Sequence, residues 1–201
     1  MKSQHHGWQL PANDTLATVP SAITLVRTLV AVAFALVAVT SDSLVWLIAA
    51  IATYWVGDIA DGLVARLTKR ETRSGAIFDI MADRLSVGLI YLIFGFWHPE
   101  LLWAIGLYLV EFMFIDGFLS LSFLFWPLLS PNYFYLIDKQ IFQLNWSLFG
   151  KAANSSIFLL ITIIFQQPWL SAAVAGVALL VKLYSTVRLY RVVGLPKVRP
   201  F

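Results

Sequence analysis

Residues 57–84 read GDIADGLVARLTKRETRSGAIFDIMADR, and this stretch decides the fold. Two mostly apolar segments, each carrying a pair of aspartates, flank a short basic loop. A transmembrane helix needs about 20 mostly apolar residues, and the segments on either side of the loop are long enough to cross a bilayer. A short loop makes two such helices antiparallel neighbours. The stretch therefore predicts a membrane hairpin with carboxylates inside it.

Outward from this hairpin, the chain offers six apolar windows separated by short polar breaks. Of the 201 residues, 60% are hydrophobic and 12% are charged, which excludes a soluble enzyme and a disordered chain. The absence of cysteine excludes a disulfide-stapled scaffold, and the window lengths predict helices rather than barrel strands. We predict an all-α polytopic membrane protein, a six-transmembrane-helix bundle with spans near 20–40, 44–66, 76–96, 101–128, 152–167 and 169–190.

All fourteen lysines and arginines fall on one side of this predicted topology. By the positive-inside rule that side is cytoplasmic, and both termini lie inside. The net charge of +3 then reflects topology and attraction to anionic membrane lipids, and not nucleic-acid binding. Residues 1–201 are predicted to form a single membrane domain, with a cytoplasmic N-terminal segment at 1–19 and a long cytoplasmic connection at 129–151.

Four aspartates of the hairpin lie at membrane depth, where each charge costs roughly 2.5–3.5 kcal/mol and requires a cationic partner. Asp58 and Asp61 are three residues apart, so they share one helix face, as do Asp79 and Asp83, which are four apart. Asp58 and Asp83 each lie eight residues, or about 12 Å, from the loop end of their helices, so their depths match. Clustered carboxylates without cysteine or a nearby histidine favour Mg²⁺ or Mn²⁺ over Zn²⁺.

Small residues lie beside the first pair of aspartates. Gly62 and Ala65 share the face of Asp58 and Asp61, which leaves room for a ligand or a close helix. Arg66 is suited to pairing with phosphate. The alternative is a small-residue packing seam with buried ion pairs. Four acids facing one arginine leave excess negative charge that packing does not neutralise, which favours a ligand site.

The run from Asp58 to Asp83 resembles a family signature at all eight fixed positions. That signature is D-x2-D-G-x2-A-R-x8-G-x3-D-x3-D, of the CDP-alcohol phosphotransferases, also called CDP-alcohol phosphatidyltransferases. The resemblance implies a phospholipid-synthesising enzyme that transfers the phosphatidyl group from CDP-diacylglycerol to an alcohol acceptor and releases CMP. It also implies an integral membrane protein, in the cell (plasma) membrane, whose active site faces the cytoplasm.

The resemblance implies metal and catalytic roles for the aspartates. The ligands of a two-ion Mg²⁺ or Mn²⁺ site would be Asp58, Asp61, Asp79 and Asp83. Asp83 would also be the base that takes the proton of the acceptor hydroxyl.

The CDP part of the donor would be contacted by residues of the first three spans. Within the signature these are Gly62, Ala65, Arg66 and Gly75. Residues 20–27, PSAITLVR, are similar to the P-N-x-x-T-x-x-R stretch of many family members, with Ser21 in place of the asparagine. Thr24 and Arg27 are therefore expected to contact cytidine or phosphate, with a snorkelling topology anchor as the alternative for Arg27.

The identity of the alcohol has to be sought outside the signature. Phosphatidylglycerophosphate synthases of the family often carry an Arg-Glu pair in the fourth span, where this chain has Val110 before Glu111. Glu111 and Asp116 are five residues apart, so we expect at most one of them to face the site. An acceptor such as glycerol 3-phosphate or inositol phosphate would need further cations. The candidates, which also suit a purely topological role, are Lys139, Lys151, Arg188 and Arg191.

Two features outside the signature have alternative interpretations. The aromatic-rich connection at 129–151 is predicted to be a lid or an interfacial helix, or else a plain amphipathic surface helix. Gly176 and the alanines of the last span predict helix packing, within one chain or in a homodimer.

Two other classes of function are alternatives to the transferase. A divalent-cation transporter would need polar groups continuing to the opposite membrane face, whereas the second and third spans beyond Asp58 and Asp83 are almost wholly apolar. A non-catalytic scaffold would not require all four aspartates together.

Overall fold

The computed structural model describes Gly7 and residues 14–194, apart from the side chains at 154 and 155. Over these residues the protein is helical, without a β-strand, as predicted. Most of the predicted N-terminal segment at 1–19 lies outside the described residues. The described chain up to Pro99 forms one compact unit, and the chain from Glu100 forms a second.

The first unit consists of three long helices, α1 (Val19–Ser41), α2 (Leu44–Thr68) and α3 (Arg73–Trp97). α1 packs against both α2 and α3. Threonine side chains cap two of the helix starts: Thr18 accepts the N–H of Ser21, and Thr72 accepts the N–H of Gly75. A capping side chain satisfies a backbone donor that has no partner within the helix, so the sequence marks where these helices begin.

The ends of α1 and α2 lie in the predicted breaks. Each helix is followed by a residue in the left-handed conformation, Asp42 at φ 48° and Lys69 at φ 55°. A left-handed residue stops a helix and turns the chain. The loop between α2 and α3 is only four residues long, from 69 to 72, which confirms the predicted helical hairpin.

In the second unit, several short helices join end to end into longer helical stretches. Its α-helices are α4 (Leu102–Leu109), α5 (Asp116–Leu121), α6 (Lys139–Asn145), α7 (Leu148–Lys151), α8 (Ile157–Phe165) and α9 (Pro168–Val193). A π-helical segment, Val110–Ile115, joins α4 to α5, and another, Ala152–Ser156, joins α7 to α8. Because these junctions stay helical, Pro99–Phe125 and residues 148–165 each form one continuous helical stretch.

The helical stretch at the predicted fifth span begins at residue 148, four residues before the predicted start at 152. Ser147 caps this start, because its hydroxyl accepts the N–H of Gly150 at 3.0 Å. A methyl group at Gly150 would lie 2.9 Å from backbone atoms of Gln143 and Leu144 at the end of α6. The start of the span is therefore set by a close backbone approach, which hydropathy alone does not reveal.

The connection at 129–151 is a packed part of the second unit. Phe134 and Ile141 are fully buried, and Trp146 is nearly so. The Phe134 and Trp146 rings lie 4.8 Å apart. A plain amphipathic helix would bury only one apolar stripe, whereas this segment combines a 3₁₀ turn, Pro131–Leu136, with α6 and α7.

Among the described residues, four helical stretches are long and apolar enough to cross a membrane: Val19–Ser41, Leu44–Thr68, Pro99–Phe125 and Pro168–Val193. These mark the chain as a membrane protein. The other two predicted spans correspond to α3, which contains charged residues of the hairpin, and to residues 148–165. The count of six and the cytoplasmic position of both termini stay predictions, as does the single domain over 1–201.

Candidate active site

The four aspartates of the hairpin converge on one guanidinium in the first unit. Arg27 of α1 donates from Nε to Asp61 at 2.8 Å. Its Nη2 donates to Asp79 at 2.6 Å and to Asp83 at 2.9 Å. Asp58 Oδ1 lies 3.7 Å from the same Nη2. We call these four carboxylates the acidic cluster; the helix-face spacing that predicted their meeting is confirmed.

The acidic cluster has a buried side and an open side. Asp61 is 4% exposed, and the Arg27 side chain that binds it is also buried. By contrast, the side chains of Asp58 and Asp79 are 44% and 36% exposed. A ligand can therefore reach the cluster at Asp58 and Asp79 while Asp61 and Arg27 support it from within.

Three members of the cluster are spaced for a cation. Asp58, Asp61 and Asp79 each offer a carboxylate oxygen, and these oxygens lie within 4.8 Å of one another. An all-oxygen set of this kind suits a hard divalent ion. Asp83 is not a member of this trio, but Arg27 Nη2 links it to Asp79. One arginine against four carboxylates leaves an excess of three negative charges, so the site favours cations.

Thr24 and Arg27 both face the acidic cluster. The Thr24 hydroxyl lies 2.8 Å from Asp61 Oδ2. Arg27 is 4% exposed, and its guanidinium carbon lies 5.6 Å from the centroid of the Tyr54 ring. The interpretation of Arg27 as a snorkelling anchor is wrong, because a snorkelling side chain places its charge in water. The expected contact of both residues with CDP stays a prediction.

The signature glycines make room for polar side chains. A methyl group at Gly62 would lie 3.3 Å from Nη1 of Arg66, so the exposed Arg66 folds back over that glycine. At Gly75 a methyl group would lie 2.8 Å from Thr72 Oγ1 and 3.4 Å from Ser21 Oγ. Gly75 thus lets α3 start close to α1. Ala65, the signature alanine between these two glycines in sequence, is half-buried on α2.

The second unit contains a polar network that the sequence analysis missed. Lys182 is fully buried in α9 and forms an ion pair with Asp116, and its Nζ also donates to Asn145 at 2.9 Å. Asn145 in turn donates to Ser185 Oγ at 2.9 Å. We call these four residues the lysine network. Lys182, which the sequence analysis counted with the other basic residues as a topology charge, thus has a buried acidic partner. The sequence places Lys182 and Asp116 inside predicted spans. Charged residues inside spans usually pair with one another, so this ion pair could have been predicted.

Glu111 and Asp116 lie in and next to a π-helical segment, which α-helical spacing does not describe. The Asp116 N–H donates to the carbonyl of Glu111, five residues before it. A π-turn is wider than an α-turn and brings residues five apart towards the same side. Glu111 is 1% exposed and Asp116 7% exposed. The α-helical spacing from which the two were expected to face different sides does not apply here, and the expectation that at most one of them faces the site stays a prediction.

The four candidate acceptor cations differ in their surroundings. Lys139, Lys151 and Arg191 are exposed. Arg188 donates from Nε to both oxygens of Asp138, at 3.0 and 2.9 Å. Asp138 also caps the start of α6. Arg188 therefore holds α6 to α9, and an anion would have to compete with Asp138 for it.

Gly176 makes no close contact within the described chain. A methyl group there would meet no heavy atom within 4 Å. The packing predicted at this glycine is thus not found within the second unit, and its role in a homodimer stays a prediction.

Proteins of two mycobacteria are similar to part of this chain. One is from Mycobacterium tuberculosis (strain ATCC 25618 / H37Rv) and one from Mycobacterium bovis (strain ATCC BAA-935 / AF2122/97), and each is named "Putative cardiolipin synthase". Each is 32% identical over 82 residues, which are 41% of this chain and 39% of the relative. The chain thus matches about two fifths of the length of these relatives. No solved structure matches it.

A family model covers far more of the chain than these relatives do. It is described as CDP-alcohol phosphatidyltransferase and matches residues 17–187. The matched range includes α1 to α3, the whole acidic cluster and most of the second unit. The family is one of transferases in phospholipid biosynthesis, so the predicted enzyme class is confirmed. The chain therefore belongs to the CDP-alcohol phosphatidyltransferase family.

Proposed function

We propose that the protein transfers the phosphatidyl group of CDP-diacylglycerol to an alcohol and releases CMP. The observation that carries this proposal is the convergence of the acidic cluster on Arg27. One buried positive charge does not balance four carboxylates, and excess charge at membrane depth is typical of a functional site. Family membership supplies the class of reaction, and the cluster supplies residues suited to it.

The acidic cluster is proposed to bind two Mg²⁺ or Mn²⁺ ions through Asp58, Asp61, Asp79 and Asp83. Support comes from the three carboxylate oxygens within 4.8 Å of one another and from the open side at Asp58 and Asp79. When bound, such ions neutralise charge on the pyrophosphate and make CMP a better leaving group. The described chain contains no cysteine to favour a softer metal.

Asp83 is proposed as the general base. The acceptor hydroxyl oxygen attacks the phosphorus of the phosphatidyl group, the bond from that phosphorus to the bridging oxygen breaks, and CMP leaves. The proton of the hydroxyl passes to the carboxylate of Asp83. Asp83 lies outside the trio of carboxylate oxygens, which supports a role for it besides metal binding. The hydrogen bond from Arg27 holds its carboxylate in place for proton transfer.

The donor nucleotide is proposed to bind along α1, α2 and the start of α3. The residues assigned to it are Gly62, Ala65, Arg66, Gly75, Thr24 and Arg27. Arg66 is exposed and folded over Gly62, so its guanidinium is available to phosphate. Arg27 Nη1 is buried and has no hydrogen-bond partner among the described residues. A buried donor of this kind is costly unless a ligand oxygen satisfies it.

Two classes of acceptor are considered. A phosphorylated polyol, such as glycerol 3-phosphate or inositol phosphate, would be met by cations among Lys139, Lys151, Arg188 and Arg191. The name of the mycobacterial relatives points instead to cardiolipin as product and so to a lipid alcohol as acceptor. The exposed lysines and Arg191 favour the first class, while the pairing of Arg188 with Asp138 weakens it at that position.

The proposed topology has six spans, both termini in the cytoplasm, and the acidic cluster facing the cytoplasmic side of the plasma membrane. The chain is proposed to be one functional domain and to form a homodimer. Because the chain has no cysteine, single-cysteine variants report topology cleanly. Ser43→Cys should react with an impermeant thiol reagent from outside intact cells, and Thr68→Cys only after permeabilisation. The reverse pattern would overturn the proposed orientation.

A divalent-cation transporter is the alternative function. A pathway through the first unit would need polar groups beyond the acidic cluster. Past Asp83, the buried residues of α3 include Ser86 and Tyr91 but no charged side chain, and the rest are apolar or glycine. Uptake of Mn²⁺ into proteoliposomes without CMP release would favour the transporter.

The direct experiment incubates purified protein with CDP-diacylglycerol, Mg²⁺ and a panel of alcohols, and measures CMP release. We expect release that needs both the metal and one class of alcohol. Chelator should stop it, and readdition of Mg²⁺ or Mn²⁺ should restore it. Release of CMP with no alcohol, or none with any alcohol, would contradict the proposed transfer.

A further inference from the structure

Arg27 reaches the acidic cluster across a glycine that lies outside the family signature. A methyl group built at Gly57 would lie 2.5 Å from Cβ of Arg27 and 3.0 Å from its Cγ. The Cδ of Arg27 would be the nearest atom of all. Real Cβ atoms do not approach other carbons so closely. The aliphatic stem of Arg27 therefore crosses α2 through a notch that exists because residue 57 has no side chain.

The notch determines where the guanidinium lies. The first carbons of the Arg27 side chain are pinned against Gly57, and the far end binds Asp61, Asp79 and Asp83. A methyl group at residue 57 would touch Cβ, so a rotation of the flexible end does not relieve the clash. Either α1 moves away from α2 or the arginine stem leaves the notch. Both displace the guanidinium from the carboxylates.

An apolar groove of about 670 Å³ gives the displaced stem a place to go. The groove lies along α1 and α2, and both Arg27 and Gly57 line it, together with Val26, Val30 and Val56. A stem pushed into this groove would carry its charge away from the acidic cluster. Small changes at Gly57 are therefore expected to alter the cluster's charge balance without unfolding the unit.

We propose that Gly57 is a positioning residue that fixes Arg27 as the built-in counter-ion of the acidic cluster. With Arg27 in place, the four carboxylates have a partner even when no divalent ion is bound. Without it, like charges at this spacing repel one another and the cluster depends on added cations. The inference deepens the proposed function, because it assigns the residues that hold the metal-binding carboxylates in position.

The competing interpretation is that Gly57 only allows two membrane helices to pack closely. Metal affinity separates the two. Damage to packing should leave Mn²⁺ binding weaker or unchanged. Loss of a positive charge beside the cluster should make Mn²⁺ binding tighter, because the ion no longer meets a neighbouring cation.

The first measurement is thermal unfolding of the full chain in detergent with chelator. The variants are Gly57→Ala and Arg27→Gln, with Gly106→Ala as the matched control, since a methyl group at Gly106 meets no heavy atom within 4 Å. In a helix, alanine is ordinarily favoured over glycine. We expect an unchanged or raised Tm for Gly106→Ala, a lowered Tm for the other two, and recovery of both with Mn²⁺.

The second measurement is the Kd for Mn²⁺, read from its electron paramagnetic resonance signal. Arg27→Gln should bind Mn²⁺ at least tenfold more tightly than wild type, and Gly57→Ala should shift in the same direction by a smaller factor. Arg27→Lys, which keeps the charge, should stay close to wild type. If Arg27→Gln is recovered folded only when Mn²⁺ is present, that result also supports the counter-ion role.

Weaker or unchanged Mn²⁺ binding in both Arg27→Gln and Gly57→Ala would overturn the inference. A Gly57→Ala variant that binds Mn²⁺ like Gly106→Ala would reduce Gly57 to a packing residue. These outcomes are separable from failure of the proposed function. If wild type releases CMP while the affinities do not move, only the counter-ion role fails. If the variants change the Mn²⁺ affinity as expected but wild type releases no CMP, the proposed transfer is contradicted while the counter-ion role stands.

Discussion

Both units bury a basic side chain with acidic partners, but their charge balance differs. In the first unit, Arg27 faces four carboxylates, two of which have substantially exposed side chains. In the second, Lys182 pairs with Asp116 and adds a hydrogen bond to Asn145, all of them buried. The lysine network pairs one positive charge with one negative charge. The acidic cluster keeps an excess of negative charge that a further cation would balance.

Under the proposed function, the two units contrast a ligand site with a structural ion pair. A buried pair with matched charge and satisfied hydrogen bonds can be replaced by apolar side chains with little loss of stability. A cluster with unmatched charge is costly in the protein alone, and under the proposed function bound cations offset that cost. Burial by itself does not separate the two, since Asp61 and Asp116 are both buried.

The largest expected effect tests the unmatched side of the comparison. Asp58→Ala, Asp61→Ala and Asp79→Ala should each abolish CMP release and weaken Mn²⁺ binding, because each removes an oxygen from a trio with no spare members. CMP release and Mn²⁺ titration of the purified variants test this. Full turnover by any one of them after chelator treatment would break the two-metal assignment.

Asp83 should behave differently from the trio. Asp83→Asn keeps the size of the side chain and one coordinating oxygen but cannot accept a proton. Transfer should fall by about 10² to 10⁴-fold while donor and metal binding survive. Single-turnover rates and Mn²⁺ affinity, measured on the same preparation, separate the two effects. A parallel loss of both would mean that Asp83 acts chiefly as a metal ligand.

The lysine network should respond as a structural pair. Lys182→Met leaves Asp116 buried without its cation and should cost about 3–5 kcal/mol of stability. The double variant Lys182→Met with Asp116→Leu should recover most of that loss, as seen in unfolding by detergent or heat. Mn²⁺ affinity should not change in either variant. Loss of CMP release in a fully stable double variant would give the network a role in function and weaken the contrast between the units.

The smallest expected effect concerns the acceptor. Neutralising Lys139, Lys151, Arg188 or Arg191 to glutamine or methionine removes a charge that a phosphorylated alcohol would use. A true contact should cost roughly 1.5–3 kcal/mol, about ten- to a hundredfold in acceptor KM, with donor KM as the control. If no substitution changes acceptor KM, these cations determine topology and a lipid alcohol is the better acceptor.

The long helices and their breaks could be predicted because membrane insertion imposes length and apolarity locally. Asp42 and Lys69 end helices inside the predicted breaks. The start of the helical stretch at 148–165 could not be predicted, because Gly150 lies there in close contact with the backbone of α6. The π-helical segment at Val110–Ile115 could not be predicted either, since spacing rules assume an α-helix.

The same division applies to the site. Sequence by itself determined the acidic cluster, because intervals of three and four residues place side chains on one helix face and a short loop makes the two helices neighbours. Tertiary structure alone decided what occupies the centre of the cluster. Arg27 comes from α1, 34 residues before Asp61 and 52 before Asp79. Its stem crosses α2 against Gly57, and a contact between residues 30 positions apart has no periodicity along the chain.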